Sequence, residues 1–320
     1  MNLEQVFLYV TQRCNIRCIT CYALDQLERD ADLSFDDLVR LLADFRTRGA
    51  WRLSLLGGEP TVYRPLGDLV ARARDLGYTF VRINTNGMFA TSLLSDTRMR
   101  GIDVLCFSID GATAAVNDSI RKGSRLERVL ENLRAAREAG FEVRVNATIT
   151  SRNIDQTIAI VELAETCGAS EVNLNVMFLM GYALTHQDLA VSPTAWRSMY
   201  DTILRRHREF AIRIKLPAAF ATTSELPGHR ANGHRCLAMD GTRWYVASNG
   251  QSYPCLLFMD DAKQGLGQDA DATVHDYCHF VNMPSAGLHP LCIFYKDRLN
   301  TTRPRELSGD QSIVCPPQML

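Results

Sequence analysis

Three cysteines near the N-terminus form a group of side chains that could bind a metal. Cys14, Cys18 and Cys21 lie within eight residues, directly after an apolar run. Thiolates bind soft metals, and a short loop with three of them can hold three irons of a cubane cluster and leave the fourth iron open. A structural zinc site needs four ligands, and a disulfide would leave one of the three thiols unpaired. The spacing therefore favours an iron–sulfur cluster.

The elements that must position this loop follow from the hydrophobic pattern. Strands are predicted at residues 6–11, 51–56, 79–84, 103–109, 142–149 and 171–177. Helices are predicted from Ser34 to Gly49, at 66–76, at 92–100, from Ser124 to Gly140, at 154–167 and after Ser192-Pro193. Ser34 and Ser124 each precede an acidic residue by three positions, as helix N-caps do. Six strands that alternate with helices predict a parallel α/β sheet.

Polar or glycine-rich motifs follow four of the predicted strands, where such folds bind ligands. The motifs are the three-cysteine loop, Gly57-Gly58-Glu59-Pro60, Asn84-Thr85-Asn86-Gly87 and Ser108-Ile109-Asp110-Gly111. Each motif alone is also compatible with an ordinary turn. Because the carboxyl ends of parallel strands share one edge, the motifs together predict one binding rim.

The spacing Cys14-x3-Cys18-x2-Cys21 resembles the signature of the radical S-adenosylmethionine (SAM) enzymes. This resemblance implies a [4Fe-4S] cluster whose open iron binds SAM, and reductive cleavage of SAM to methionine and a 5′-deoxyadenosyl radical. It also implies a partial (β/α)6 TIM-like barrel, which we assign to residues 1–215. Thr20 departs from the family pattern, because an aromatic residue usually precedes the third cysteine; Tyr22 is a candidate substitute.

The resemblance also assigns SAM-binding roles to the other rim motifs. Residues similar to the family's Gly-Gly-Glu-Pro motif, which binds the SAM amino group, are Gly57, Gly58, Glu59 and Pro60. Residues that match positions near the ribose and methionine of SAM are Asn84, Asn86, Ser108 and Asp110. For Asp110 the alternative is a simple turn residue before Gly111. For Arg121, a contact with the SAM carboxylate and a solvent-facing position both stay open.

Residues 216–320 hold five of the ten cysteines, and we assign them to a second, smaller domain. Alternation over 244–248 followed by Asn249-Gly250 predicts a hairpin. The stretch resembles the twitch and SPASM extensions of radical SAM enzymes, which implies an auxiliary [4Fe-4S] cluster. Its implied ligands are Cys236, Cys255, Cys292 and Cys315. One auxiliary cluster is expected, since the full SPASM cysteine run is absent after Cys292.

The remaining cysteines have different expected roles. Cys278 is the spare late thiol and a candidate catalytic hydrogen donor, as in radical SAM epimerases, although a packing role is the alternative and Cys278 and Cys292 could exchange roles. Cys106 and Cys167 occur in an apolar strand and at a helix end, so we expect buried packing thiols.

Composition limits the partners. With Lys+Arg 35 against Asp+Glu 36, nothing indicates nucleic-acid binding, and no apolar run approaches the length of a membrane span. A chain without a signal peptide and with ten cysteines is expected in the cytoplasm. A flavodoxin- or ferredoxin-like electron donor is expected from the family resemblance.

The expected reaction is oxidation or epimerisation at an unactivated C–H bond. A small polar metabolite, such as an aminosugar or aminocyclitol, is the preferred substrate. This preference rests on a locally acidic late segment and on a chain that begins at the barrel, with no leader-binding domain before it. The alternatives are a maturase that modifies a ribosomally synthesised peptide and a non-catalytic iron–sulfur or zinc protein.

Overall fold

The protein is built around one large, mostly parallel β-sheet. The computed structural model describes residues 3–23, 32–217, 219–222, 241–256, 288–290 and 297–300. Within these residues the strands are β1 (Gln5–Tyr9), β2 (Arg17–Cys18), β3 (Arg52–Leu56), β4 (Phe80–Thr85), β5 (Val104–Ser108), β6 (Arg121–Lys122), β7 (Glu142–Ile149), β8 (Glu171–Val176), β9 (Arg213–Leu216), β10 (Phe220–Thr222), β11 (Arg243–Val246), β12 (Ser252–Tyr253), β13 (Leu288–Pro290) and β14 (Asp297–Leu299).

The main sheet has ten strands in the order β12-β11-β1-β3-β4-β5-β7-β8-β9-β14. The pairings from β11 through to β9 are all parallel. The two outermost strands, β12 and β14, pair antiparallel with their neighbours. Two small ribbons, β2 with β6 and β10 with β13, are separate from this sheet. The parallel strands therefore bring their carboxyl ends to one edge.

Helices connect the parallel strands and cover one face of the sheet. They are α1 (Phe35–Thr47), α2 (Leu66–Asp75), α3 (Ala114–Ile120), α4 (Leu126–Glu138), α5 (Thr157–Thr166) and α6 (Pro193–Arg206). Each of the longer helices buries an apolar stripe; in α1 the buried residues are Leu38, Leu42 and Phe45. These stripes and the apolar strand residues form the largest core cluster. No helix in the described ranges is long and apolar enough to cross a lipid bilayer.

Side-chain alternation along the strands separates this apolar core from a polar interior. In β7 the residues Val143, Val145 and Ala147 are buried, whereas Arg144 and Asn146 between them are partly exposed. Successive side chains of a strand point to opposite faces of a sheet. One face therefore packs under the helices, and the other lines the inside of the curved sheet with polar side chains.

The structure confirms the six predicted strands and most of the predicted helices. Ser34 caps α1 as expected, because its side chain accepts a hydrogen bond from the Asp37 backbone N–H. The predicted helix at 92–100 is wrong: two 3₁₀ segments, Thr91–Ser95 and Thr97–Gly101, occupy this stretch. Extended backbone at Asp96 separates them, and the Asp96 side chain caps the second segment.

The predicted Ser124 cap of α4 is also wrong. The helix begins at Leu126, after Arg125 in the N-cap position, and the Ser124 hydroxyl is buried without a hydrogen-bond partner among the described residues. Asp118 supplies the acceptor instead, since its carboxylate accepts a hydrogen bond of 3.0 Å from the Leu126 N–H. The capping oxygen comes from α3, which a local sequence pattern does not reveal.

Beyond residue 215 the chain adds strands to the main sheet. The predicted hairpin is confirmed: β11 and β12 pair antiparallel, and Gly250 in the turn has a positive φ of 85°. Strand β11 also pairs in parallel with β1, so part of the assigned second domain lies in the same sheet as the barrel. The division into residues 1–215 and 216–320 stays a prediction.

Candidate active site

One cavity of about 320 Å³ lies at the edge where the parallel strands end. It brings together most of the residues that the sequence motifs single out. Among the residues that line it are Cys14, Cys18, Cys21, Gly57, Gly58, Glu59, Asn84, Asn86 and Ser108. Pro60 and Asp110 are not among its wall residues, and both are buried. The separate motifs therefore form one site.

The three-cysteine loop is held on two sides. On one side β2 pairs with β6, where Cys18 lies opposite Arg121, and the Ile19 N–H donates to the Ile120 carbonyl at 2.9 Å. On the other side the N–H groups of Gly58 and Glu59 donate to carbonyls of residues 11 and 13, each at 2.8 Å. Two ladders of backbone bonds therefore fix the loop before any ligand binds.

The two glycines after β3 pack directly against the backbone that leads into this loop. A Cβ added at Gly58 would lie 2.3 Å from the Arg13 carbonyl oxygen, and one at Gly57 would lie 2.7 Å from the Thr11 carbonyl oxygen. Real Cβ atoms do not approach backbone oxygen so closely. Glycine is therefore needed at both positions because the backbone of the three-cysteine loop passes directly against them.

Glu59 ties two loops together inside the site. Its Oε1 accepts hydrogen bonds from the Thr61 N–H at 3.1 Å, the Thr61 hydroxyl at 2.6 Å and the Thr85 hydroxyl at 2.7 Å. Its Oε2 accepts from the Asn86 N–H at 2.6 Å. Burial raises the pKa of this carboxyl, although all four donors oppose the shift. The side chain is only 1% exposed, so its main contacts are with the protein.

The two asparagines after β4 face the cavity in different ways. Asn86 donates from Nδ2 to Asn15 Oδ1 at 2.7 Å, and the same nitrogen lies 3.8 Å from Cys14 Sγ. Asn84 Oδ1 is buried and has no hydrogen-bond partner in the described part of the chain. A buried acceptor without a donor costs free energy unless a ligand supplies one. The hydroxyl groups of a ribose are suitable donors, so the free acceptor of Asn84 fits the ribose of SAM.

Asp110 makes a buried ion pair. Its Oδ2 accepts from Arg121 Nη1 at 2.9 Å, and its Oδ1 accepts from the Thr148 N–H at 2.7 Å. The Asp110 and Arg121 side chains are 1% and 10% exposed, so the solvent-facing alternative for Arg121 is wrong. Arg121 lines the cavity, and its positive charge opposes the rise in the pKa of Cys18. The direct role of Asp110 is therefore to hold Arg121 beside the cluster loop.

The loop cysteines have the donor set that an iron–sulfur cluster needs. Burial raises the pKa of Cys14, and it raises the pKa of Cys18 to about 12. Burial therefore favours the protonated form of both thiols, and binding of iron displaces those protons. Among the described residues, no three His, Cys, Asp or Glu side chains converge as they would around a single ion. A cubane differs, because each thiolate binds a separate iron.

Aromatic side chains stand behind the third cysteine. Thr20 and Tyr22 both line the cavity. The Tyr22 hydroxyl is 3.0 Å from the Tyr9 hydroxyl, and the Tyr22 ring meets Phe178 edge to face. Burial raises the pKa of Tyr22 to about 12. The ring is therefore neutral, fixed and at the cavity wall, where it can substitute for the aromatic residue that Thr20 replaces.

The remaining cysteines divide into described and undescribed ones. Cys106 and Cys167 are each 2% exposed, which confirms their burial, although Cys106 also contributes to the cavity wall. Cys255 is buried and directly precedes Leu256, another wall residue. Four predicted functional cysteines lie outside the described residues, namely Cys236, Cys278, Cys292 and Cys315.

Several wall residues were missed at the sequence level. They come from the inner faces of the strands and are Arg82, Asn146, Thr148, Glu171, Asn173, Asn175, Lys215, Arg243 and Tyr245. The available signal was the alternation of polar residues in strands that are otherwise apolar, as in Asn173 and Asn175 of β8. Such alternation usually marks a solvent-facing side of a sheet; in a curved parallel sheet it marks the interior.

Comparison with known proteins agrees with this geometry. Residues 8–166 match the radical SAM superfamily model. GTP 3',8-cyclase from Marinobacter nauticus is 30% identical over 212 residues, which cover 65% of this chain and 63% of that protein. PqqA peptide cyclase from Streptomyces rochei is 32% identical over 193 residues, which cover 59% of this chain and 52% of that protein. This chain thus matches only part of each relative.

Solved structures show the same fold. Streptococcus suis SuiB, in a crystal structure with the precursor peptide SuiA, superposes with a TM-score of 0.65 at 20% identity, over 81% of this chain and 61% of that chain. The structure of anSMEcpe with bound AdoMet gives a TM-score of 0.60 at 14% identity. These likenesses confirm the α/β partial-barrel fold. Members of the superfamily use SAM and a [4Fe-4S] cluster. The chain therefore contains a radical SAM superfamily domain, with its three-cysteine loop and rim motifs around one cavity.

Proposed function

We propose that this enzyme binds a [4Fe-4S] cluster through Cys14, Cys18 and Cys21 and uses it to cleave SAM reductively. The radical so formed would abstract a hydrogen atom from a substrate C–H bond inside the cavity. The observation that carries the proposal is that all three thiols share one cavity with the Gly57-Gly58-Glu59 motif, Asn84, Asn86 and Ser108.

The chain's own residues would orient SAM and keep water away from the reacting atoms. Asn84 offers an acceptor to a ribose hydroxyl, and Ser108 offers a hydroxyl on the next strand. Apolar side chains of Leu56, Val176 and Leu256 belong to the same wall. Holding the reactants in one geometry and excluding water are the two contributions a protein makes to cofactor chemistry.

The polar interior supports a small polar metabolite as the substrate, but not a cationic one. Of the cations along the described wall, Arg121 and Lys215 are paired with Asp110 and Glu171. Arg82 makes no ion pair with any of the described residues. The ammonium group of an aminosugar or aminocyclitol would be repelled by the positive charge of Arg82. The late acidic segment that suggested such a substrate lies outside the described residues. We therefore propose a polar, uncharged or anionic substrate.

Modification of a ribosomally synthesised peptide is the second candidate. Its support is the 32% identity to PqqA peptide cyclase. Formation of 5′-deoxyadenosine with each substrate class separates the two candidates. Stimulation by nucleotides or other polar metabolites would support the first, and stimulation only by precursor peptides would support the second.

The auxiliary cluster and the reaction outcome are part of the same proposal. Cys255 is buried and directly precedes Leu256, a residue of the cavity wall, which supports a second [4Fe-4S] cluster held with Cys236, Cys292 and Cys315. If that cluster accepts the second electron, the product is oxidised or cyclised. If a thiol such as Cys278 returns a hydrogen atom, the product is epimerised.

A small acidic electron donor fits the surface beside the cluster loop. Arg17 and Lys122 lie opposite each other in the β2–β6 ribbon, and both are exposed. Exposed cations next to a redox centre steer an acidic partner toward it. A flavodoxin- or ferredoxin-like protein has this chemistry, and we propose such a donor.

Iron and sulfide counting after anaerobic reconstitution tests the cluster assignment. The wild-type chain should bind about four irons through the loop and about eight in all if the auxiliary cluster forms. Alanine at Cys14, Cys18 or Cys21 should remove the first group of irons, whereas the control Cys167→Ala should keep the wild-type count. Zinc without iron or sulfide in the wild-type protein would support the non-catalytic alternative and refute the proposal.

A further inference from the structure

The interior of the sheet holds a cation that the proposed chemistry does not use. In β4 the residues Val81 and Ile83 are fully buried, while Arg82 and Asn84 alternate with them and line the cavity. Arg82 lies two residues before Asn84, which places it about 7 Å closer to the amino end of the strand. It is therefore placed below the level of the SAM motifs, where a substrate would extend.

Two other cations of the wall are neutralised by carboxylates. Arg121 pairs with Asp110 at 2.9 Å. Lys215 pairs with Glu171 at 3.2 Å. Glu171 also lies 3.5 Å from Arg144 and 3.9 Å from Arg213, so this one carboxylate forms ion pairs with three cations. No negative charge is left over from these groups for a further arginine.

Arg82 makes no ion pair with any of the described residues. Its Nε is buried and has no hydrogen-bond acceptor in the described part of the chain. Its guanidinium lies over the face of the Phe7 ring, 5.6 Å from the ring centre. Arg243 approaches the same ring at 5.2 Å, so two guanidinium groups flank one aromatic side chain. A guanidinium stays protonated in proteins, and burying it without an anion is costly.

The geometry points to an anion-binding subsite at Arg82, which takes a carboxylate or phosphate group of the substrate. This inference rests on the proposed function, since it places the substrate in the cavity of the SAM site. The planar fork of an arginine matches both anions with two parallel hydrogen bonds. The substrate is therefore an anion bound at its far end, with its reacting C–H toward the cluster loop.

Selective arginine modification tests the subsite directly. SAM-loaded holoenzyme is treated with phenylglyoxal in sodium phosphate, sodium glutarate or sodium chloride at equal ionic strength, and each modified arginine is quantified by peptide mass spectrometry. Arg100, which is exposed, serves as the internal control. We expect phosphate or glutarate to slow modification of Arg82 about tenfold at a concentration about ten times Kd, with no effect at Arg100.

Each outcome of this experiment has a meaning. Stronger protection by phosphate identifies a phosphorylated substrate, and stronger protection by glutarate identifies a carboxylate. Equal modification of Arg82 in all three salts would overturn the inference, as would an unreactive Arg82 beside a reactive Arg100. Iron content and SAM binding are measured on the same sample. A sample that binds both but shows no protection refutes the subsite and leaves the proposed function standing.

Variants give a second measurement on the same holoenzyme. The protecting anion should raise the Tm of the wild-type protein and of Arg100→Gln. In Arg82→Gln its affinity should fall by about 10- to 150-fold, the cost of losing hydrogen bonds to a charged group. Arg82→Lys keeps the charge without the fork and should lie between. An unchanged Tm shift in an Arg82→Gln protein with full iron content would contradict the subsite.

Discussion

Replacing Asp110 by asparagine should destabilise the protein by about 3–5 kcal/mol. Asp110 is 1% exposed and its partner Arg121 is 10% exposed, so the variant leaves a buried guanidinium without its counter-charge. In the wild-type protein the Thr148 N–H lies 2.7 Å from Asp110 Oδ1, and the oxygen of the asparagine can still accept this hydrogen bond. The NH2 group of the asparagine must then face Arg121. It cannot accept a hydrogen bond from the guanidinium, because both groups are donors. The expected loss is therefore that of the ion pair.

Urea unfolding of the variant and the wild type, followed by circular dichroism, measures this loss. Asp75→Asn is the matched control, because its ion pair with Arg72 is 3.3 Å long but exposed at both ends, and such pairs contribute about 0–1 kcal/mol. The double variant Asp110→Asn/Arg121→Met should recover part of the stability, since it removes the stranded charge. A loss below about 1 kcal/mol, or weaker SAM binding with unchanged stability, would refute the ion-pair account.

Three further predictions concern the loop and the remaining thiols. Gly58→Ala should prevent normal cluster loading, because its Cβ would lie 2.3 Å from the Arg13 carbonyl oxygen; a wild-type iron count in this variant would contradict the packing. Cys255→Ala should lower the iron content from about eight to about four per chain, and an unchanged count would remove Cys255 from the auxiliary ligands. Cys106→Ala should keep the full iron content, since Cys106 is only 2% exposed and lies within strand β5; a loss of iron in this variant would identify Cys106 as a ligand.

The architecture could be predicted because its signals are local. Apolar runs predicted all six strands, helical periodicity predicted the longer helices but was wrong at 92–100, and the motifs at the strand ends predicted a shared rim. The N-cap at Ser34 was predicted correctly because the hydroxyl that accepts the hydrogen bond and the Asp37 N–H that donates it are only three residues apart in the sequence. The cap of α4 was not predictable in this way, because Asp118 reaches Leu126 from a different helix.

The interior of the site was harder to predict, because it depends on contacts between distant segments. Gly58 and Glu59 looked like ligand contacts, and the structure adds contacts within the protein that the motif does not reveal. Their N–H groups donate to the carbonyls of Thr11 and Arg13. The Glu59 carboxylate accepts from Thr61, Thr85 and the Asn86 N–H. Arg82 gave no motif signal at all. Its position became informative only when the register of the sheet placed it at the wall of the cavity, without an ion pair to any described carboxylate.

Reductive cleavage of SAM is the most direct test of the central claim. The reconstituted protein is reduced with dithionite under anaerobic conditions, and 5′-deoxyadenosine and methionine are quantified by mass spectrometry. We predict equal amounts of the two products from the wild-type protein and neither from Cys18→Ala. Absence of 5′-deoxyadenosine from a wild-type sample that holds four irons and binds SAM would contradict the account.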